Sequence, residues 1–359
     1  MAMLFDLLNC NRTKRISFMK KCLLLFLLCV LPLAFLKLQH TEIIVDTKQH
    51  NSVTILLWHR PFGASYDMSG DPCLGLHNNT PLCKVTEDKS LFPKADVVVF
   101  HNSEIARGQV KLPLNRPRPL GQRWAWLSLE SPANNGDLRK FANIFNLTMN
   151  YRRDADITTN YGERVEKVTS EDAHPVQNVT RNKEFLACWV VSNYNPSHRR
   201  SKVYKELNNI IPVKVFGRWT KTPLSTEALL PTISRCYFYL AFENSEFKDY
   251  ITEKLWKNAY LSGAVPVVLG APVQDYEAVA PPHSFIHVDQ FKSVKMLAEY
   301  LLQVAGDQKR YNEYFQWKQK WNVKVRYNWI DSLCKLCSHY DHLPPNKVYS
   351  DLAAWHRAK

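Results

Sequence analysis

A polar turn between two apolar strands holds the densest group of side chains that could do chemistry. Glu243, Asn244 and Ser245 follow a predicted strand over 237–242, and Lys254 lies near the start of the next predicted helix. In a βαβ unit the ligand lies beyond the carboxyl ends of the strands, where free backbone amides attract anions. The pattern therefore predicts that Lys254 binds a phosphate, although a solvated charged turn would contain the same residues.

Two more candidate groups follow predicted strands. Glu130 comes after the apolar run 124–129, and a carboxylate at such a strand end can act as a general base toward a sugar hydroxyl. The turn 192–196 leads into a helix with Arg199 and Arg200, whose planar guanidinium groups offer paired donors to phosphate. Surface charge is the alternative interpretation in both places.

Asp154 and Asp156 have the Asp-x-Asp spacing with which many sugar-nucleotide enzymes hold a divalent cation. Arg152 and Arg153 come directly before them and could neutralise both carboxylates. The sequence favours this structural ion network over a metal site.

An apolar run over 22–36 follows a group of basic residues and is closed by Lys37. It predicts a short membrane anchor, with residues 1–21 in the cytosol and everything after Lys37 on the other side. A cleaved signal peptide is the alternative. The whole chain carries a net charge of +14, which suits anionic ligands. Because the anchor separates the folded part from nucleic acid, nucleotide diphosphates and acidic glycans are the better candidates.

Six cysteines beyond the anchor predict three disulfides in an oxidising compartment. The expected pairs are Cys73–Cys83, Cys334–Cys337 and Cys188–Cys236. Half of a zinc site at the Cys-x-x-Cys pair is the alternative. Glycosylation sequons at Asn78, Asn146 and Asn178 fit the same compartment.

Alternating apolar and amphipathic segments predict an α/β protein of two domains. Strands are expected over 53–58, 96–100, 124–129, 185–192, 213–217, 237–242, 264–269 and 284–288, and helices over 198–210 and 293–305. The predicted parts after the anchor are a stem (37–51), a first domain (52–165), a linker (166–184), a second domain (185–325) and a tail that packs back across the domains (326–359).

Three motifs together resemble the α1,3-fucosyltransferases of the Golgi. They are Phe-Glu-Asn-Ser-Glu-Phe-Lys-Asp-Tyr-Ile-Thr-Glu-Lys at 242–254, Tyr-Arg-Arg-Asp-Ala-Asp-Ile at 151–157 and Leu-Glu-Ser-Pro at 129–132. Residues 342–352 are similar to the leukocyte type that makes sialyl Lewis x. The resemblance implies a GT-B fold, in which two Rossmann-like domains face each other across a cleft. It also implies an inverting transfer of fucose from GDP-fucose to the 3-hydroxyl of N-acetylglucosamine in lactosamine glycans.

The resemblance assigns a role to each candidate residue. It implies that Glu130 is the general base, that Arg200 and Lys254 neutralise the diphosphate, and that Cys188 pairs with Cys236. The implied positions around the ribose and fucose of the donor are Asn193, Asn244, Tyr250 and Glu253.

The acceptor side departs from the family pattern. Family members have two histidines, then Arg or Trp, then an acid, whereas this chain has His101-Asn-Ser-Glu104, and Ala64 stands where some relatives have glutamine. Phe62 and His101 are the predicted acceptor-side residues, and their surroundings are expected to set acceptor preference.

Positive charge from Arg200, Lys254 and the helix end is expected to stabilise the departing GDP, so no metal cofactor is expected to be required, and a divalent cation is expected only as a stimulant. The expected partners are GDP-fucose, lactosamine glycans on glycoproteins and glycolipids, the Golgi membrane and a second copy of the chain, with no nucleic acid. Two alternatives stay open: a metal-dependent transferase built around Asp154 and Asp156, and a non-catalytic glycan-binding protein.

Overall fold

The structure is a computed structural model that describes residues 52–64, 73, 82–168, 180, 182–326 and 330–358. The predicted anchor and stem, most of the predicted linker, and the sequons at Asn78 and Asn178 lie outside these residues. Within the described ranges, every helix is too short or too polar to cross a membrane.

The first of two parallel sheets has the strand order β2-β1-β3-β4-β5-β6. Its central strands are buried along their whole length, as expected for a parallel sheet that is covered on both faces. The strands are β1 (Ser52–Leu57), β2 (Leu82–Thr86), β3 (Val97–His101), β4 (Arg123–Ser128), β5 (Leu147–Asn150) and β6 (Ile157–Thr158).

The second parallel sheet has the order β12-β11-β10-β8-β9. Apolar side chains fill the layers on both of its faces. Its strands are β8 (Phe185–Val190), β9 (Val213–Phe216), β10 (Cys236–Phe242), β11 (Val265–Leu269) and β12 (Ile286–His287). Between the two sheets in sequence, β7 (Gly162–Glu166) pairs antiparallel with β13 (Trp321–Val325).

Helices connect and cover the strands. The α-helices in the described ranges are α1 (Asn102–Ala106), α2 (Arg199–Asn208), α3 (Thr226–Ser234), α4 (Val273–Val279), α5 (Val294–Gly306), α6 (Gln308–Glu313), α7 (Ile330–His339) and α8 (Leu352–Arg357). A π-helix spans Lys254–Tyr260. Single 3₁₀ turns cover Pro61–Gly63, Lys89–Lys94, Pro132–Asn134, Leu138–Phe141, Val288–Gln290, Gln316–Gln319 and Tyr340–His342.

In each sheet, the chain adds strands first on one side of the starting strand and then on the other. In the first sheet β2 and β3 lie on opposite sides of β1, and in the second β9 and β10 lie on opposite sides of β8. A crevice opens at the carboxyl ends of the strands at such a switch point, and ligands of α/β proteins bind there. The two crevices are therefore expected beside His59 and His101 in the first sheet and beside Asn193 and Asn244 in the second.

The C-terminal segment returns to the first sheet and covers both of its faces. Helix α7 packs against the side chains of Val53, Ile55 and Leu57, whereas Leu352 and Ala353 of α8 belong to the layer of Leu56 and Trp58 on the other face. Adjacent residues of β1 thus serve opposite layers, because successive side chains of a strand point to opposite faces.

The predicted local disulfides were wrong. Cys73 pairs with Cys334, and Cys83 pairs with Cys337, across 261 and 254 residues of sequence. Helix α7 places Cys334 and Cys337 on the first sheet beside Cys73 and Cys83. Each cysteine of one predicted pair is therefore bonded to a cysteine of the other predicted pair. The structure does pair Cys188 with Cys236.

Candidate functional site

A cavity of about 440 Å³ lies where the carboxyl ends of the two sheets meet. Glu130 and His101 reach it from the first sheet, together with Phe62. Asn193 and Asn244 reach it from the second sheet. Five of the residues predicted from the sequence therefore surround one cavity.

Glu130 stands two residues beyond the end of β4. Its backbone N–H donates to Ser128 Oγ over 3.2 Å, and its carboxylate accepts from Asn134 Nδ2 at 3.2 Å. Asn135 Nδ2 donates to the Glu130 backbone carbonyl at 2.9 Å. The carboxylate is thus held by a polar loop at the cavity wall, where it can accept a proton from a bound hydroxyl.

Arg200 supplies a buried cation in the first turn of α2. Arg200 is 5% exposed. Its guanidinium donates to the backbone carbonyl of Asn193, and its Nε has no hydrogen-bond partner among the described residues. Burial lowers the pKa of Arg200 from its usual value, against the opposing charge of Glu243. A buried guanidinium with unused donors is costly unless an anion binds to it.

Lys254 does not stand free beside the cavity. Its ammonium contacts Thr252 Oγ1 at 2.8 Å, Glu243 Oε2 at 2.9 Å and Glu253 Oε1 at 3.1 Å. Burial disfavours the charged ammonium, but the two carboxylates outweigh burial and raise the pKa of Lys254. All three of its N–H donors are in use, so an incoming phosphate would have to replace one partner.

The other predicted donor-side residues differ in their exposure. Asn244 Oδ1 is buried and has no partner in the described part of the chain, which leaves it ready for a ligand at the cavity wall. Tyr250 is buried, and its ring lies 5.0 Å from that of Tyr151. The side chain of Glu253 is 48% exposed and lies beside Lys254.

A carboxylate and two imidazoles meet on the other side of the cavity. Glu104 Oε2 lies 2.6 Å from His101 Nδ1 and 3.2 Å from His59 Nε2, and Glu104 Oε1 accepts from Phe62 N at 2.8 Å. Burial lowers the pKa of His59 and of His101, while Glu104 opposes the shift. Phe62 adopts a φ of 55°, and its ring contacts the His101 ring edge-on at 4.8 Å.

Ser131 and Arg153 join the first sheet to the second through polar contacts. Ser131 Oγ donates to Ser245 Oγ at 2.9 Å. Arg153 pairs with Asp249 and, at 2.8 Å, with Asp275. These contacts fix the separation of the loops that carry Glu130 and Asn244.

The Asp154 and Asp156 carboxylates lie in ion pairs, as the sequence predicted. Arg152 Nη2 contacts Asp154 at 2.8 Å. Asp156 is neutralised by Lys347 at 2.6 Å rather than by Arg153, and the Asp156 carboxylate also accepts from Tyr349 and Thr148. The interpretation as a structural network is confirmed, with a different cation for the second acid.

Asn146, a predicted glycan acceptor, is hydrogen-bonded within the folded chain. It is 8% exposed, its Oδ1 accepts from Trp124 N at 2.8 Å, and its Nδ2 donates to Lys347 O at 2.8 Å.

Sequence reasoning missed three residues at the site. Glu243 was recognised only as part of a polar turn, and its pairing with Lys254 depends on the turn that brings residue 252 back to β10. Glu104 was named only as part of the His101-Asn-Ser-Glu104 segment, and His59 was not placed beside that segment. A signal was present, since His59 and His101 both come directly after the predicted strands 53–58 and 96–100.

Two family models match almost the whole described chain. "Fucosyltransferase, N-terminal" matches residues 50–162, and "Glycosyltransferase family 10 (fucosyltransferase) C-term" matches residues 180–355. Alpha-(1,3)-fucosyltransferase 7 of Rattus norvegicus is 43% identical over 86% of this chain and 80% of its own length. The chain belongs to the glycosyltransferase family 10 fucosyltransferases.

Other family members match to a similar extent. Alpha-(1,3)-fucosyltransferase 7 of Homo sapiens is 39% identical over 86% of this chain and 87% of its own length, and 4-galactosyl-N-acetylglucosaminide 3-alpha-L-fucosyltransferase 9 of Bos taurus is 40% identical over 86% and 83%. A crystal structure of an alpha1,3-fucosyltransferase with GDP-fucose has the same fold, with a TM-score of 0.51 at 15% identity over 84% of this chain and 92% of that one.

Proposed function

We propose that this family member is an inverting α1,3-fucosyltransferase. It transfers fucose from GDP-fucose to the 3-hydroxyl of N-acetylglucosamine in N-acetyllactosamine glycans, including sialylated ones, and so forms Lewis x and sialyl Lewis x. The names of its relatives support the reaction and the acceptor class. The cavity supports the division of the work between the two sheets.

One observation carries the proposal. A carboxylate from the first sheet, Glu130, shares a cavity with Asn193 and Asn244 of the second sheet, and the under-compensated cation Arg200 is bonded to Asn193. An anionic donor on the second sheet would therefore bring its sugar toward a base on the first.

The second sheet would bind the diphosphate through Arg200. Its guanidinium is held in place by the Asn193 carbonyl, and its remaining N–H groups can reach two phosphate oxygens at once. A cation that is already buried and oriented stabilises a developing negative charge without reorganisation. Asn244, with its unpartnered oxygen, would bind a hydroxyl of the donor.

Lys254 would join the diphosphate by exchanging one partner. Glu253 is its most exposed partner, whereas the side chain of Glu243 is 1% exposed and stays with the lysine. Release of Glu253 would free one N–H of Lys254 for a phosphate oxygen and the carboxylate for a hydroxyl of the donor. Tyr250 would shape the same pocket with its buried ring.

The chemical step would be a direct displacement. Glu130 takes the proton of the acceptor 3-hydroxyl while the oxygen attacks the anomeric carbon of fucose, and the bond to the phosphate oxygen breaks. GDP leaves with the bonding electron pair, and Arg200 and Lys254 stabilise its added charge. A single displacement inverts the anomeric configuration.

The proposal includes the setting of the enzyme. It would be a Golgi type II membrane protein of the GT-B kind, anchored by residues 22–36 and extended by the stem 37–51, with a lumenal catalytic part. It would act on glycoproteins and glycolipids without a required metal, and a homodimer is proposed.

The test is transfer by the full-length chain in detergent. The chain is incubated with GDP-fucose and with sialylated or neutral N-acetyllactosamine, each with and without EDTA, and the linkage in the product is read by NMR. We expect α1,3-linked fucose on the N-acetylglucosamine of both acceptors, with activity retained in EDTA. Transfer to neither acceptor would overturn the function, and transfer to the neutral acceptor alone would remove sialyl Lewis x from it.

A further inference from the structure

Two histidines occupy the switch point of the first sheet. His59 lies two residues beyond β1, and His101 is the last residue of β3, the neighbouring parallel strand. Glu104, in the first turn of α1, points its carboxylate between them. The loop ends of an α/β sheet at such a point form a crevice in which side chains converge on a ligand.

The three side chains present one ligating atom each to a common point. His59 Nε2, His101 Nδ1 and a Glu104 carboxylate oxygen all lie within 4.8 Å of one another. The side chains are 9%, 8% and 12% exposed. Phe62 N holds the other carboxylate oxygen at 2.8 Å, so that Oε2 alone faces the two rings.

The donor set and its spacing fit a zinc ion. Two imidazoles and one carboxylate, with a fourth position for water, are a recurrent set for Zn²⁺. Tetrahedral bonds of about 2.0–2.1 Å place neighbouring ligand atoms roughly 3.3 Å apart. The contact from His59 to Glu104 is already 3.2 Å, the 2.6 Å contact from His101 must open, and the two histidine nitrogens, which lie within 4.8 Å of each other, must approach the same spacing.

We propose that His59 Nε2, His101 Nδ1 and Glu104 Oε2 bind one divalent zinc ion at the edge of the cavity. Phe62 N acts as the outer partner that orients the carboxylate, a role that metal sites commonly require. The site is separate from the diphosphate-binding side, and its occupancy is measured without any substrate.

Binding of the ion changes whether His101 accepts or donates a hydrogen bond at the cavity. Without metal, His101 Nδ1–H donates to Glu104, so that Nε2 carries a lone pair and accepts hydrogen bonds. With zinc on Nδ1, the proton of the neutral ring moves to Nε2, which becomes a donor. His59 shifts its proton in the same way, from Nε2 to Nδ1, so neutral rings bind the ion without net release of protons. The acceptor-side wall beside Glu130 thus reverses its hydrogen-bonding character.

Cobalt substitution tests the site. Full-length protein in detergent is stripped with a chelator and titrated with Co²⁺ and then Zn²⁺. We expect visible d–d absorption that saturates at one Co²⁺ per chain and is abolished by one Zn²⁺. Glu104→Gln keeps the size of the side chain and the contact with Phe62 N, and His59→Asn removes a ring; each should weaken binding at least about tenfold.

The matched control is His283→Asn, an exposed histidine outside the cluster, which should bind as the unmodified chain does. Absence of stoichiometric d–d bands in the unmodified chain overturns the proposal without any variant. Equal affinity in Glu104→Gln and His283→Asn also overturns it, as do near-ultraviolet charge-transfer bands from cysteine, which would place the ion at a thiolate instead.

Discussion

The two sheets place opposite chemistry at the same topological position. At the second sheet, the buried guanidinium of Arg200 lacks a carboxylate partner within the described ranges and has an unbonded Nε. At the first, the Glu104 carboxylate has three partners, namely two imidazoles and an amide, and Glu130 carries the carboxylate that faces the cavity. The second sheet thus has a cation without an anion, and the first sheet has groups that can accept a proton.

The difference indicates which part of the reaction belongs to each sheet. A buried charge without compensation is unstable until its ligand arrives, so the second sheet gains most from an anionic donor. On the first sheet the Glu104 carboxylate is already paired, and Glu130 is presented as a proton acceptor. Variants on the two sides should therefore fail in different ways.

Glu130→Gln should have the largest effect. The amide keeps the size of the side chain but cannot take a proton, so turnover with GDP-fucose and lactosamine should fall by about 10²–10⁴. The initial rate at saturating substrates measures it. Glu206→Gln, an exposed acid on α2, is the control and should keep its rate. Near-normal turnover of Glu130→Gln would show that Glu130 is not the general base.

Arg200→Ala should come next. Removal of one preoriented group that stabilises the leaving charge costs roughly 10²–10³ in rate. Lys202→Ala, two residues along the same helix and exposed, tests whether any cation on α2 has this effect. If both variants lost activity equally, the general positive potential rather than Arg200 would be responsible. Thermal unfolding of each variant shows whether lost activity reflects lost structure.

The sheets also differ in how they are cross-linked. Cys73–Cys334 and Cys83–Cys337 both join the first sheet to α7, whereas Cys188–Cys236 closes a 48-residue loop within the second sheet. Because the two long-range bridges are adjacent, each closes a loop of only about 15 residues when the other is intact. Cys73→Ser with Cys334→Ser should therefore cost about 3 kcal/mol of unfolding free energy.

Removal of both long-range bridges should cost more than twice the loss from either one, since the C-terminal segment is then free over the whole chain. Urea unfolding of the single-bridge and double-bridge variants measures this. Peptide mapping without reduction should recover Cys73 with Cys334. Peptides that link Cys73 to Cys83 would contradict these bridges and support the local pairs expected from spacing.

Those pairs show what spacing along the chain cannot reveal. The strands over 53–58, 96–100 and 124–129 were predicted to within about two residues because each is a continuous apolar run in a covered sheet. The disulfides depend on where α7 docks, which no local pattern encodes. The strand β5 and the pair β7 with β13 were not predicted, since β5 has only four residues and the pairing of β7 with β13 joins segments that are far apart in the sequence.

The candidate site divides in the same way. Glu130, Asn193, Arg200 and Asn244 follow apolar strands, so sequence position alone placed them at one edge of a sheet. Lys254 was expected to face a phosphate. In the structure Lys254 contacts Glu243, because the segment after Asn244 folds back and Thr252 bonds to the Glu243 carboxylate. The helix predicted near Lys254 is a π-helix that starts at this residue.

A smaller effect is expected in the pH dependence of stability on the first sheet. His356 accepts from Asn135 Nδ2 and lies between Trp126 and Trp355. Burial lowers its pKa from 6.5 to about 3. The unfolded chain therefore binds a proton that the folded chain excludes, and stability is lost as pH falls below 6.5. At pH 5 this amounts to about 2 kcal/mol.

His356→Gln should flatten the loss between pH 6.5 and 5, as measured by urea unfolding at each pH. His339→Gln, an exposed histidine of α7, should leave the slope unchanged. An equal slope in His356→Gln and the unmodified chain would show that the buried ring takes up its proton without unfolding.

Calorimetric titration of GDP into Glu130→Gln and Arg200→Lys tests the division of work most directly. Arg200→Lys keeps the charge but loses the planar pair of donors. We predict that Glu130→Gln binds GDP within about twofold of the unmodified chain, and that Arg200→Lys binds at least about tenfold more weakly, a loss of about 1.4 kcal/mol. Equal affinities in the two variants, or a loss confined to Glu130→Gln, would contradict it.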